Sequence, residues 1–240
     1  MRKIGMWMLA FLCAVCFMAG CAGEEQAGEG SCWSNISAAV SVGEEYYVVY
    51  DSFLYTVNPG EQKANVWCNL FTCDHKKQSG CPAALRREFG STLCTDGKYL
   101  YLAAEAPDQR LVWYRYLLEE GADSREEYAE ITETGAEMDC SLESFFHDGT
   151  VYYSLGQPDD SGVWSWKLYR QKLSGKKGGK AEMIYEPEAG THLENISLYG
   201  TRVYASEWKE GGSGRIFSCE NTGRSRRLYW IRELSPATSC

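Results

Sequence analysis

The chain has 240 residues, with 24 Lys and Arg against 33 Asp and Glu, and a net charge of −9 at pH 7. That length allows one domain with a sizeable core. Nucleic-acid binding needs clustered Lys and Arg that contact phosphates, so this acidic balance argues against a nucleic-acid partner.

Residues 1–20 have the pattern of a secretory signal peptide. Arg2 and Lys3 give a positive start, and the run from Ile4 to Ala19 carries no charge. A short positive head, an apolar run and small residues at its end are the three parts of a cleavable signal peptide. The run is shorter than the ~20 residues that a membrane-spanning helix needs.

The end of that segment, Met18-Ala19-Gly20-Cys21, resembles the lipobox of bacterial lipoproteins, with Met18 where Leu is usual. The resemblance implies that Cys21 receives a diacylglycerol and becomes the new N-terminus. Two acyl chains on one sulfur are enough for stable membrane anchoring. We therefore expect a lipid-anchored chain on the extracytoplasmic face of the cell membrane. The alternative is a plain signal peptide in which Cys21 is incidental.

A flexible tether is predicted over residues 21–37, which are mostly Gly, Glu, Ala and Ser and offer little to bury. Loss of Arg2 and Lys3 with the signal peptide takes the net charge from −9 to −11. The folded domain is expected over residues 38–240.

Four segments of this domain look alike when they are aligned on a glycine, and the glycines are spaced 54, 52 and 51 residues apart. After each glycine come an aromatic strand, a variable loop, a second strand, a turn and a closing strand. A further short run precedes the later glycines, namely Ser91 to Cys94 and Leu142 to Phe146. A period of this size with four short strands indicates a propeller blade. The four glycines are Gly43, Gly97, Gly149 and Gly200.

This repeat resembles the Tyr-rich blades of TolB-like and low-density-lipoprotein-receptor-type (YWTD-like) propellers, and most of all the propeller lipoproteins of Gram-positive bacteria. The resemblance covers roughly residues 38 to 231. It implies an all-β fold, a β-propeller-like array of four four-stranded blades. Those families commonly have six or more blades, so we interpret the chain as truncated from a larger propeller. A four-bladed ring, an open array, and a β-sandwich or barrel are the alternatives.

Between the first and second units lies a cluster of cysteines with one histidine. Cys68, Cys73, His75 and Cys81 fall within fourteen residues. Three thiolates and one imidazole complete a tetrahedral structural zinc site, so we predict zinc as the cofactor. An exported chain meets oxidising conditions, so disulfides such as Cys68–Cys73 or Cys81–Cys94 are the alternative, with free thiols a third.

Catalytic motifs are missing from the sequence: there is no Gly-x-Ser-x-Gly, no phosphate-binding loop and no His-Glu-x-x-His. His147 is interpreted as part of an exposed turn, and His192 has no partner in sequence. Trp113, Trp164, Trp166 and Trp208 are predicted to pack between blades rather than to stack on a ligand.

Three functions follow as hypotheses. The first is a membrane-anchored binding or interaction module, without catalysis, for an extracellular polymer, peptide or protein. The second is an extracellular carbohydrate-active enzyme with carboxylates from different blades in one pocket. The third is a non-functional fragment of a longer propeller.

Overall fold

The computed structural model describes residues 39–61, 63–76, 80–87, 89, 92–131, 140–175, 177–209, 212, 214–224 and 226–230. These residues form sixteen β-strands and one 3-10 turn at Ala122–Ser124. No helix in this described part of the chain is long and apolar enough to cross a bilayer. The predicted signal peptide, the tether and the lipid site Cys21 lie outside the described residues.

The strands make four sheets of four strands, each an antiparallel meander in chain order. Sheet one contains β1 (Ala39–Val42), β2 (Glu45–Tyr50), β3 (Phe53–Asn58) and β4 (Lys63–Val66). Sheet two contains β5 (Cys94–Thr95), β6 (Tyr99–Glu105), β7 (Leu111–Leu117) and β8 (Glu126–Glu130). Sheet three contains β9 (Ser141–His147), β10 (Thr150–Pro158), β11 (Trp164–Lys172) and β12 (Glu182–Tyr185). Sheet four contains β13 (Thr191–Tyr199), β14 (Arg202–Lys209), β15 (Arg215–Glu220) and β16 (Arg227–Trp230).

The repeated glycines mark the same turn in every sheet, the one that joins the first strand to the second. All four have positive φ, at 60°, 85°, 69° and 58° in chain order. Glycine adopts this backbone conformation at no steric cost, whereas other residues are strained there. The repeat in the sequence is therefore a repeat of turn geometry, and the all-β prediction with four four-stranded units is confirmed.

One predicted strand is displaced along the chain. Of the described residues in the short run Ser91 to Cys94, only Cys94 belongs to the β5–β6 ladder. The physical reason is the Thr92 hydroxyl, which accepts a hydrogen bond from the Ala103 N–H at 2.9 Å and donates one to the Phe89 carbonyl at 2.6 Å. The Thr92 hydroxyl thus accepts the Ala103 N–H, which the backbone of a longer β5 would have bound instead.

Three hydrophobic cores lie between successive sheets. Along β6, Leu100, Leu102 and Ala104 pack into the core shared with sheet one. The alternate residues Tyr101 and Ala103 pack into the core shared with sheet three. Because strand side chains alternate between faces, sheet two is covered on both sides.

Sheet three is buried in the same manner. Val151 and Tyr153 belong to the core with sheet two, and Tyr152 belongs to the core with sheet four. The first strands of neighbouring sheets also contact each other, β1 with β5, β5 with β9 and β9 with β13. No core among the described residues joins sheet four to sheet one.

Candidate metal centre

The predicted ligands lie on a loop that leaves sheet one after β4 and returns to it. The Trp67 N–H donates to the Leu54 carbonyl at 2.8 Å, which keeps the start of the loop beside β3. Its end returns through the Leu54 N–H, which donates to the Ala83 carbonyl at 3.0 Å. Both ends of the loop are thus fixed to the same strand, and we call Cys68–Cys81 the knuckle.

The knuckle brings all four predicted ligands together. The Sγ atoms of Cys68, Cys73 and Cys81 and a ring nitrogen of His75 all lie within 4.8 Å of one another. Cys81 Sγ is 3.8 Å from His75 Nδ1. In a tetrahedral zinc site with Zn–S bonds of about 2.3 Å, neighbouring sulfurs are separated by about 3.8 Å. The ligand atoms are therefore close to the required spacing.

The backbone around the sulfurs suits thiolates. Each sulfur accepts a hydrogen bond from the backbone N–H two residues further on: Cys68 from Leu70, Cys73 from His75, and Cys81 from Ala83. Donors aimed at a sulfur favour its charged form and orient it, which is the usual support around a metal ligand.

The three thiols nevertheless differ in their proton affinity. Burial raises the pKa of Cys81 to about 12, and burial also raises the pKa of Cys68. The hydrogen bond from the His75 N–H lowers the pKa of Cys73. A bound cation supplies the positive charge that a buried Cys81 thiolate needs.

His75 itself has a strained backbone, with φ of 53° in the left-handed region. A side chain other than glycine is uncommon there, and such residues concentrate at functional sites. Here the conformation turns the chain sharply after Cys73, so that the imidazole lies next to the Cys81 thiol.

None of the described cysteines forms a disulfide in the structure. Of the disulfides left open by the sequence, Cys81–Cys94 joins residues of different cores, since Cys81 packs with sheet one and Cys94 with sheet three. Cys68 and Cys73 share the knuckle, so their pairing is compatible with its geometry.

The other residues considered from the sequence have structural surroundings. His147 ends β9 and is exposed. His192 stacks on Trp208, with ring centroids 3.9 Å apart. Trp113 and Trp166 are buried in the second and third cores, as predicted, whereas Trp164 and Trp208 are only half-buried.

Sequence reasoning missed a second polar cluster, between sheets three and four. The Glu207 side chain is completely buried and accepts hydrogen bonds from the Tyr185 hydroxyl and the Arg215 guanidinium. Ala205 and Val203, the residues two and four places before it on β14, face the third core. Because alternate residues of a strand face the same side, the sequence around Glu207 predicts that its carboxylate faces the core. This alternation was the signal that could have identified the cluster.

This cluster borders a cavity of about 210 Å³. The wall includes Glu188, Thr191, Glu207, Lys209 and Arg215. Lys209 Nζ lies 2.8 Å from Glu188 Oε2 and lowers the pKa of that carboxyl. The Thr191 hydroxyl is buried and has no hydrogen-bond partner among the described residues.

Comparison with known proteins assigns no family. No protein-family model matches the chain, and no curated protein matches it. One similar solved structure is the subtype N11 neuraminidase-like protein of A/flat-faced bat/Peru, 12% identical, with a TM-score of 0.44 over 77% of this chain and 48% of that one. Another is a puromycin-hydrolysing peptidase of Mycobacterium tuberculosis, 12% identical, with a TM-score of 0.34 over 82% of this chain and 38% of that one.

The chain thus spans less than half the length of these two structures. At TM-scores this low, neither likeness assigns a fold or an activity to it.

Proposed function

We propose that this chain is a lipid-anchored, extracytoplasmic binding module of the β-propeller type, stabilised by structural zinc in the knuckle and without catalytic turnover. The observation that carries the zinc assignment is the compact Cys3His cluster, whose four ligand atoms all lie within 4.8 Å of one another. Four protein ligands leave no open metal position, which is typical of a structural site.

The propeller assignment is supported by how the sheets pack. Successive four-stranded meanders share one core each, their first strands lie side by side, and the middle sheets are covered on both faces. Blades around a common axis have this order, with the first strand innermost. The YWTD-like resemblance of the repeat supports the same assignment.

Zinc content tests the metal assignment. We expect about one zinc per chain, and protection of Cys68, Cys73 and Cys81 from alkylation until a chelator removes it. Cys73→Ser should lose the metal, whereas Cys219→Ser, which removes a buried thiol of the third core, should keep it. If zinc is absent and the knuckle cysteines do not react with the alkylating agent, they form disulfides. If zinc is absent and they do react, the knuckle holds neither a metal nor a disulfide.

The lipid anchor is proposed on the sequence pattern that ends in Cys21 and on the tether that follows it. Cys21→Ser should release the mature domain into the medium or leave an unprocessed precursor. A variant that is processed and still sediments with membranes would place the anchor elsewhere.

The cavity beside Glu207 favours a second candidate function, the binding of a small polar ligand. Two carboxylates in one cavity are also what a carbohydrate-active enzyme requires. A general acid, however, needs a raised pKa, and Lys209 lowers the pKa of Glu188. Glu207 is held by Tyr185 and Arg215, so both carboxylates are already paired.

The cavity is smaller than the roughly 300–1,000 Å³ of sites for drug-sized ligands, so it suits one ring. Its unpartnered Thr191 hydroxyl and its balanced charges match a neutral polyhydroxy compound. Calorimetric titration with glucose, galactose and N-acetylglucosamine tests this, with Thr191→Val as the variant that should lose binding. Release of reducing sugar from a polysaccharide would favour the enzyme instead.

A further inference from the structure

An arginine on β7 of sheet two, Arg115, reaches across to sheet three and is enclosed by aromatic rings. It pairs with Glu126 on β8, and its Nη1 donates to the carbonyl of Gly175, beyond the end of β11, at 3.1 Å. The guanidinium carbon lies 4.5 Å from the centre of the Tyr99 ring and 3.9 Å from that of the Tyr128 ring. The Arg115 side chain is therefore only 12% exposed.

The next interface repeats these polar contacts with Arg170, on β11 of sheet three. Arg170 pairs with Glu182 on β12, with 2.7 Å between Nη2 and Oε2. Its Nη1 donates to the carbonyl of Asn221, beyond the end of β15 in sheet four, at 2.9 Å. The Arg170 side chain is 27% exposed, more than twice as much as its counterpart in sheet two.

The tyrosines that enclose Arg115 have smaller counterparts in sheet three. Tyr99 lies two residues before the β6 partner of Arg115 in the ladder, and the residue at the same position on β10 is Thr150. Tyr128 is the bulge residue of β8, and the bulge residue of β12 is Ile184. The aromatic rings that cover the arginine at one interface are thus missing at the next.

A cavity of about 470 Å³ lies at this position between sheets three and four. Its wall includes Thr150 and Tyr152 of β10, Arg170 of β11, and Asn221 and Thr222 after β15. It has no wall residue in common with the smaller cavity of about 210 Å³. Its volume falls within the roughly 300–1,000 Å³ of small-molecule sites.

The wall of this larger cavity carries more positive than negative side chains. Lys172 and Lys180 lie in it together with Arg170, against the carboxylates of Asp148 and Glu182. Glu182 is already paired with Arg170. Both lysines are exposed, and neither forms an ion pair with another described residue. An anionic group in the cavity would thus meet two ammonium groups, although the chain as a whole has a net charge of −9.

We propose that this cavity binds a small aromatic compound that carries a carboxylate or phosphate group. The aromatic ring stacks on the Arg170 guanidinium, in place of the tyrosine of the preceding interface. Guanidinium groups stack favourably on aromatic faces, and more so where water is excluded. Lys172 and Lys180 bind the anionic group. The proposal names a ligand class for the binding module of the proposed function and rests on that function, but on neither the zinc nor the lipid anchor.

Calorimetric titration of the full chain, purified in detergent, tests the ring and the charge separately. Phenyl phosphate and benzoate carry both features, phenol carries only the ring, and inorganic phosphate carries only the charge. We expect the tighter of phenyl phosphate and benzoate to bind about tenfold more strongly than phenol and inorganic phosphate, with a dissociation constant of about 1 mM or below. Equal affinity for phenyl phosphate and inorganic phosphate, or binding of none of the four, overturns the proposal.

Two variants test whether the compound binds in this cavity. Thr150→Tyr restores the ring that β6 has at this position, and by filling the cavity it should lower the affinity for the tighter probe by about tenfold or more. The double variant Lys172→Ala with Lys180→Ala should lower it by about fivefold. Lys63→Ala removes an exposed lysine from sheet one and is the matched control, with unchanged affinity expected.

Urea unfolding shows that each variant is folded before it is titrated. If neither Thr150→Tyr nor the double lysine variant weakens binding, the site is wrong. A Thr150→Tyr chain that fails to fold leaves the decision to the double lysine variant, which changes only exposed side chains.

The phosphate ester recovered after titration separates this proposal from the proposed function. Unchanged phenyl phosphate, together with affinity lost in Thr150→Tyr, supports both. Release of inorganic phosphate that Thr150→Tyr prevents supports the site and contradicts the absence of catalytic turnover. Failure of all four probes to bind overturns the site alone, because the zinc and the anchor have their own tests.

Discussion

Trp113 donates a 3.0 Å hydrogen bond from its indole Nε1 to the Gln171 side-chain oxygen, and so joins β7 of sheet two to β11 of sheet three. Both side chains are almost completely buried. The Gln171 amide nitrogen in turn donates to the carbonyls of Glu130 at 3.0 Å and Gly179 at 2.8 Å. One glutamine therefore satisfies hydrogen-bonding groups from three segments of chain.

Replacement of that glutamine should weaken the second core. Gln171→Leu leaves the buried Trp113 N–H without its acceptor and the part-buried Glu130 and Gly179 carbonyls without their donor, and loss of a buried partner costs about 1–3 kcal/mol. We expect the free energy of unfolding, measured with urea, to fall by roughly 2–5 kcal/mol. The exposed neighbour Lys172 provides the control, since Lys172→Leu should change it by about 0.5 kcal/mol or less. Equal effects of the two variants would contradict the role of the amide.

The two carboxylates of the small cavity should differ greatly in their contribution to stability. Glu207→Gln breaks the ion pair between the fully buried Glu207 and the mostly buried Arg215, and should cost about 3–5 kcal/mol. Glu188→Gln breaks an ion pair that is exposed on both sides and should cost about 1 kcal/mol or less. Urea unfolding of both variants decides this, and a small loss for Glu207→Gln would show that its partners find other acceptors.

Alkaline pH should destabilise the chain through Cys219. Burial raises the pKa of this thiol from about 9 to about 11, and the protonated form is the one that the folded state favours. The stability from this group is therefore complete below pH 9 and is lost as the pH rises towards 11. Cys219→Ala should make the decline of unfolding free energy between pH 9 and 11 shallower.

Val203→Ala is the matched control for that experiment, because Val203 pairs with Cys219 across the sheet and carries no titrating group. It should lower stability at every pH and leave the slope unchanged. An identical slope in wild type and Cys219→Ala would assign the alkaline decline to other groups.

Substitution of a repeated turn glycine should lower stability through backbone strain alone, because these glycines have positive φ. Gly97 has φ of 85°, and a Cβ built there meets no atom within 4 Å. Gly97→Ala should therefore cost about 1 kcal/mol of unfolding free energy from strain without any clash. Gly60→Ala, at a turn glycine without positive φ, brings a Cβ to 3.3 Å from the exposed Asn58 Oδ1, which has to shift by a few tenths of an ångström, so it should cost less than Gly97→Ala. The midpoint of urea unfolding distinguishes the two.

The sequence predicts those features that depend on residues close together in the chain. Cys68, Cys73, His75 and Cys81 are neighbours in sequence, so their approach needed only a turn. The glycines predict four similar units because each one marks a local hairpin. Both kinds of feature are determined by short segments.

Two features that depend on contacts between separate strands were not predicted. Glu207 meets Tyr185 only because β12 of sheet three packs against β14 of sheet four. The late start of β5 depends on where the Thr92 hydroxyl lies relative to β6. Neither relationship has a period or motif that marks it in the chain, apart from the inward position of Glu207 on its strand.

The alternation of side chains along β6 has a consequence for the order in which the sheets unfold locally. Sheets two and three each share cores with two neighbours, whereas among the described residues sheets one and four share a core with one neighbour each. Nearest-neighbour coupling of this kind makes terminal units the first to open and central units the last. Amide hydrogen exchange should therefore be slowest in β6 and β10 and fastest in the outer sheets, so that opening of the array begins at its two flanks.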